Sequence, residues 1–176
     1  MQGRLSQTSD NIIQSFPKTT WKKEFKLASE LGYDGIEWIF DEFQPNPILL
    51  DEGISEIRTL KKKFNISINS ICADYFMTKK LFQESKTELE KNLEVFKKLI
   101  VQANKLEISM IEIPLVDSAS LKSDEDKTEI MVNLKNLLSF AESNNVIVVL
   151  ETDLNPIDFN KFLVKFNHSN IMANYD

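Results

Sequence analysis

Five acidic residues punctuate the chain at a nearly constant interval: Glu37, Asp74, Glu112, Glu151 and Asp176. Their successive separations are 37, 38 and 39 residues before the last shortens to 25. Glu151 closes the apolar run "VIVVL", and Asp176 closes "IMANYD", so two acids sit at the ends of two apolar stretches. Alternate residues of a strand share a face, which groups Ile147 and Val149 with Glu151, Asn174 with Asp176, and Cys72 with Asp74. If Glu151 and Asp176 end neighbouring strands, a strand spacing of about 4.8 Å brings their carboxylates close enough to share one cation. Without a cation the pair would repel, and one member would take up a proton. Oxygen donors favour Mn²⁺ or Mg²⁺, while an added His would admit Co²⁺ or Zn²⁺. The chemistry on offer is the binding of a divalent cation by paired carboxylates. Glu37, Asp74, Glu112 and Asn174 are the candidate substrate contacts.

Each acid also has a plainer reading, as a helix cap or a solvated loop residue. That reading is preferred for Asp117 and Asp153, which lie just beyond strands. For Glu37, Asp74 and Glu112 it stands level with substrate contact, and the apolar lead-in moves Glu151 and Asp176 toward function. His168, the single His, lies in "KFNHSN" between a helix and a strand. That turn belongs to the opposite end of a parallel sheet from the strand carboxyl ends, so His168 reads as a surface turn residue. Cys72 has no basic neighbour in sequence and reads as a buried thiol. Trp38 and Phe40 read as packing against helices.

The elements that must hold these residues alternate. "TTWKKEFKLASELG" places Trp21, Phe25, Ala28 and Leu31 on one helical face, with Thr19 or Thr20 as N-cap and Gly32 as the stop. "GIEWIF" is a strand, "GISEIRTLKKKF" a helix and "ISINSICADYF" a strand. A long helix over roughly 84–106 leads to the strand "SMIEIPLV". "DEDKTEIMVNLKNLLSFAES" has acids in its first turn and an inward apolar stripe, so it is a helix. "VIVVLE", the helix "NPIDFNKFLVKF" and "IMANYD" follow.

Strands alternating with helices at this interval predict βα units and a parallel sheet. With "MQGRL" as a first strand, six strands are expected. The four glycines form no G-x-G-x-x-G and no phosphate loop, which counts against a nucleotide-binding doubly wound sheet. Polar residues at the carboxyl ends of successive strands suit a (β/α)8 barrel. The fold expected is α/β, a partial TIM barrel of about six βα units in one domain over 1–176. The last two units of a full barrel, which runs to about 250 residues, are not in the sequence.

Composition narrows the partners. Lys and Arg number 21 against 27 Asp and Glu, for a net charge of −6. That balance disfavours a nucleic-acid binder, which needs clustered cations. "KKK" at 61–63 ends a helical pattern, where cations suit the helix dipole. One Cys allows no internal disulfide and no Cys-based zinc cage. No apolar run reaches the roughly 20 residues of a membrane span, and the N-terminus shows no signal-peptide core. A cytoplasmic protein is the expectation.

Taken together, "MQGRLS", "IQSFPKTTWKKEF", "LGYDGIEWIFD", "INSICADYFM", "IEIPLVD", "LETDL" and "FNHSNIMANYD" resemble the xylose-isomerase-like sugar phosphate isomerase/epimerase family. Within it the resemblance is to hexulose-phosphate isomerases and L-ribulose-5-phosphate 3-epimerase-type proteins. It implies a TIM barrel holding one divalent metal through Glu, Asp, His and Glu, with Glu151 and Asp176 matching the first two. It also implies that the metal-bound Glu residues act as the acid/base pair beside a carbonyl, so Glu151 would be catalytic and the substrate a sugar or sugar phosphate. The His and second Glu would fall beyond Asp176, which implies that these 176 residues alone are inactive.

Two alternatives stay open. One is another enzyme on the same scaffold, such as an inosose dehydratase; the family's endonuclease branch is disfavoured by the single His and the acidic charge. The other is a non-catalytic barrel fragment that binds a ligand or partner subunit, its open sheet edges covered by homo-oligomerisation or by that partner.

Overall fold

The computed structural model describes residues 5–6, 14–42 and 44–175. The expected first strand, "MQGRL", falls outside these residues except for Leu5, and Asp176 also falls outside them. What is described is a five-stranded parallel sheet in the order β1-β2-β3-β4-β5. The strands are β1 (Gly35–Ile39), β2 (Ser67–Cys72), β3 (Met110–Leu115), β4 (Ile147–Thr152) and β5 (Ile171–Ala173). The main helices are α1 (Trp21–Glu30), α2 (Asp51–Phe64), α4 (Lys86–Lys105), α5 (Asp124–Ser143) and α6 (Pro156–Val164), with a four-residue α3 (Tyr75–Thr78) after β2. Sequential order with right-handed crossovers sets the helices on one face of the sheet. This is the α/β, TIM-barrel-like arrangement expected. The short α3 and the 3-10 turn Pro47–Leu49 were not anticipated; both follow strand ends and are too short to show an apolar period.

Local chemistry explains the boundaries. Gly32 ends α1 at φ +79°, a conformation that favours glycine. Ser85 caps α4 by accepting from the Glu88 N–H, and Ser123 and Asp126 form a reciprocal capping box on α5. Asn65 closes α2 in the left-handed region, after Lys61, Lys62 and Lys63 in the last turn. Among the described residues no helix is long and apolar enough to cross a membrane.

Strand parity divides the sheet into two faces. Trp38, Ile68, Ile71, Ile111, Ile113, Val148 and Leu150 are buried in one core with Phe25, Ile57, Phe96, Leu99, Leu134 and Leu138 from the helices. The other face carries the acids. The cross-strand register aligns Ile39, Cys72, Glu112, Val149 and Met172 in one row across all five strands.

The loop after β1 is fixed by Asn46, which is fully buried. Its Oδ1 accepts from Trp38 Nε1 at 3.1 Å and from the Ile48 N–H at 3.2 Å, while its Nδ2 donates to the Ile39 carbonyl at 3.2 Å. Asn46→Ala leaves the indole N–H and two backbone groups without this partner in a dry environment. We expect a loss of about 2–3 kcal/mol in urea unfolding with an unchanged denaturant slope. A loss below about 0.5 kcal/mol would mean that other groups take over the bonds.

Candidate functional site

The row containing Glu112 fixes what lies above it. Two residues toward the carboxyl end, Glu151 follows Val149 on β4 and pairs with Pro114 of β3. Asn174 follows Met172, and its N–H extends the ladder by donating to the Leu150 carbonyl at 2.7 Å. Asp74 likewise stands two residues past Cys72, and Asp41 two past Ile39. An upper row of Asp41, Asp74, Glu151 and Asn174 therefore caps a lower row centred on Cys72 and Glu112. Two of the acids lie deeper than strand ends: Glu37 and Glu112 are each the third residue of their strands.

Glu37 is held by a local irregularity. Ile36 pairs with Ile68 and Trp38 with Ile71, so Asn69 and Ser70 together oppose Glu37. The extra residue makes a bulge, a device that re-aims side chains. Ser70 Oγ donates to Glu37 Oε1 at 2.6 Å.

Glu112 is 8% exposed and is the most constrained carboxyl of the group. Burial, then a side-chain hydrogen bond with Glu151 and the nearby charge of Glu37, pushes its pKa up to about 8, against a bond from Asn174 that favours the charged form. Glu112 thus keeps its proton near neutrality. Burial also raises Asp74; bonds from Cys72 and Gln14 oppose this, while the charges of Asp41 and Glu151 add to it. The Cys72 thiol is pushed far up by burial and then by Asp74 and Glu112, so it is an inert buried thiol as expected.

The remaining candidates fall where the plainer reading put them. Asp153 is exposed and accepts from Ser120 Oγ, and Asp117 is exposed in a 3-10 turn. His168 lies between α6 and β5, with Nδ1 accepting from the Asn170 N–H at 3.1 Å, at the amino end of the sheet away from the acids. Asp176 follows Asn174 by two residues but lies outside the described residues. Sequence reasoning missed Gln14 and Asp41. Gln14 Nε2 donates to Asp74 Oδ2 at 2.9 Å, a contact spanning 60 residues that no local pattern signals.

Among the described residues no three His, Cys, Asp or Glu side chains gather as a metal cage. The donors that do gather, Glu112 and Glu151, are carboxyl oxygens, the donor class that hard cations take. The donor type fits Mg²⁺ or Mn²⁺; the donors described do not by themselves complete a coordination shell.

The sequence pattern of the xylose isomerase-like TIM barrel family matches residues 25–176. The chain belongs to this family. A curated relative, the "Probable L-ribulose-5-phosphate 3-epimerase" of Mycoplasma pneumoniae, is 26% identical over 138 residues, 76% of this chain and 45% of that protein. A xylose isomerase-like TIM barrel protein from Mycobacterium smegmatis, solved in complex with magnesium, superposes with a TM-score of 0.71 at 22% identity. That match covers 91% of this chain and 57% of the other. D-psicose 3-epimerase from Clostridium cellulolyticum, solved with D-tagatose, gives a TM-score of 0.74 at 16% identity, over 87% of this chain and 56% of that one. The chain thus spans about half the length of these family members, and at such identities the structures speak to fold alone.

The raised Glu112 pKa has a sign that stability must follow. The folded state keeps a proton between pH 4.5 and about 8 that the unfolded chain releases, so this residue's contribution falls as pH rises through that window. Glu112→Gln, which stays neutral, should flatten the decline in urea midpoint measured in chelator. Parallel pH curves for the two proteins would show that Glu112 carries no such proton.

Proposed function

We propose that this chain carries the Glu151 half of an isomerase or epimerase site that moves a proton on the carbon beside the carbonyl of a ketose or sugar phosphate. One observation carries the reading: Glu151 emerges at the carboxyl end of β4 in contact with Glu112 and in the row of Asp74 and Asn174. The carboxyl ends of the strands are where barrels of this kind place their chemistry. Membership of the family and the sugar 3-epimerase among its curated relatives support the same reading.

Glu151 is the residue that takes and returns the proton. The hydrogen bond with protonated Glu112 beneath it orients the Glu151 side chain without adding a second full charge. Asp74, Glu37 and Asn174 offer acceptors and an amide to substrate hydroxyls. Glu151 and Asp176 would hold a divalent cation, Mn²⁺ or Mg²⁺ by donor type. When bound, such an ion supplies polarisation of the substrate carbonyl.

Glu151→Gln is the test, since it keeps the shape and removes the base. In a complete barrel that carries this chain, turnover of a ketose or its phosphate should fall at least about 100-fold, and Mn²⁺ binding by calorimetry should weaken, while the circular dichroism spectrum stays that of the parent. A variant that is folded and retains full turnover would overturn the assignment.

A further inference from the structure

Residues 14–16 are fastened at two points to the carboxyl ends of the first two strands. The Phe16 N–H donates to Asp41 Oδ2 at 2.8 Å. Gln14 Nε2 donates to Asp74 Oδ2 at 2.9 Å and also approaches Cys72 Sγ at 3.3 Å. Cys72 Sγ in turn donates to Asp74 Oδ1 at 3.3 Å. Each oxygen of Asp74 is therefore engaged once. An ionised carboxylate has about four lone-pair sites, so about half of its accepting capacity is left for another donor.

Among the described residues, no further hydrogen bond is made to Asp74. Asp74 stands at the head of α3 but makes no capping bond to it. The neighbouring backbone is already held, with the Ala73 N–H on the Glu112 carbonyl and the Tyr75 N–H on the Phe40 carbonyl. Asp74 is only partly covered, and Glu151 is near enough for its charge to act on it.

We propose that Gln14 is a positioning residue for substrate recognition: with the Cys72 thiol it fixes Asp74, whose free lone pairs accept a hydroxyl of a polyhydroxylated ligand beside Glu151. This rests on the reading of the site given above. A free carboxylate at the end of a strand has several rotamers, and clamping both oxygens removes that freedom before the ligand arrives. The amide also donates without bringing a cation, so Asp74 is held while its charge stays available to the hydroxyl.

The test is a double-mutant cycle in a complete barrel that carries this chain, with Mn²⁺, reading turnover of a ketose together with its dissociation constant by calorimetry. Gln14→Ala should raise KM, or the dissociation constant, about tenfold and leave kcat within about twofold, the pattern of lost uniform binding. In the Asp74→Asn background the same change should cost less than about twofold, because its effect passes through Asp74. A merely structural Gln14 would instead lower stability and give additive losses. Gln14→Ala with unchanged KM, or additive effects of the two changes, overturns this inference alone. A wild-type protein that neither binds nor converts any ketose or ketose phosphate overturns the reading of the site, and this inference with it.

Discussion

Everything at the carboxyl end of this sheet depends on the pairing of β3 with β4. Six consecutive residue pairs run in register, from Met110 with Ile147 to Leu115 with Thr152. That register puts Glu112 beside Val149 and one pleat below Glu151. A slip of one residue would turn Glu112 toward the helices and bring Ile111 and Ile113 to the acidic face. It would bury a carboxyl among Phe96, Leu99 and Leu138, where nothing of opposite charge or matching hydrogen bond waits. The core and the site are thus enforced by one constraint. The apolar parity of Ile111, Ile113, Val148 and Leu150 selects the register, and the register brings the two carboxyls together.

The two ends of the sheet use charge differently. At the amino end, Arg58 donates through Nε and Nη2 to the Lys105 carbonyl at 3.1 and 2.6 Å, and Lys61 donates to the Leu106 carbonyl. These cations line an open groove of about 620 Å³ with Lys62, Lys105, Asp34 and Glu107. Arg58 and Lys61 each meet a carbonyl at the end of α4, where the helix dipole is negative, and Lys105 pairs with Asp51. At the carboxyl end the acids accept from neutral donors: the Phe16 N–H on Asp41, and the Gln14 amide and the Cys72 thiol on Asp74. Burial first, and neighbouring acids second, raise Glu112 and Asp74.

Much of this was legible in the sequence because it is written in local periods. The stripes of Trp21, Phe25 and Ala28, or of Ile130, Leu134 and Leu138, state a helix face within one or two turns. The regular interval from Glu37 to Glu151 states the βα repeat and hence the parallel sheet. The family resemblance located Glu151 within this repeat. What could not be read depends on register between strands. Glu37 and Glu112 looked like strand-end residues, yet both lie mid-strand, because sequence spacing does not say where pairing with a neighbour stops. The bulge of Asn69 and Ser70 opposite Glu37 is invisible for the same reason. Gln14 and Asp41 escaped because their bonds join segments far apart in the chain.

The buried acids differ in where their oxygens go, a contrast that the sequence, which left capping and substrate contact level for Asp74 and Glu112, does not show. Asp126 is a buried acid too, at 4% exposure. Its oxygens accept from the Lys122 and Ser123 N–H groups at 2.9 and 3.0 Å and from Gln83 at 2.6 Å. Those donors favour the ionised form and lower its pKa despite burial. Asp126 is consumed by the fold. Asp74 and Glu112 meet the opposite treatment: burial wins, the pKa rises, and the partners include another carboxyl or a thiol in place of backbone N–H groups. A carboxyl that stabilises a fold is surrounded by donors that need it. A carboxyl raised by burial, beside another acid at the carboxyl end of a parallel sheet, is where a ligand hydroxyl or a cation would find an acceptor that the fold itself does not use.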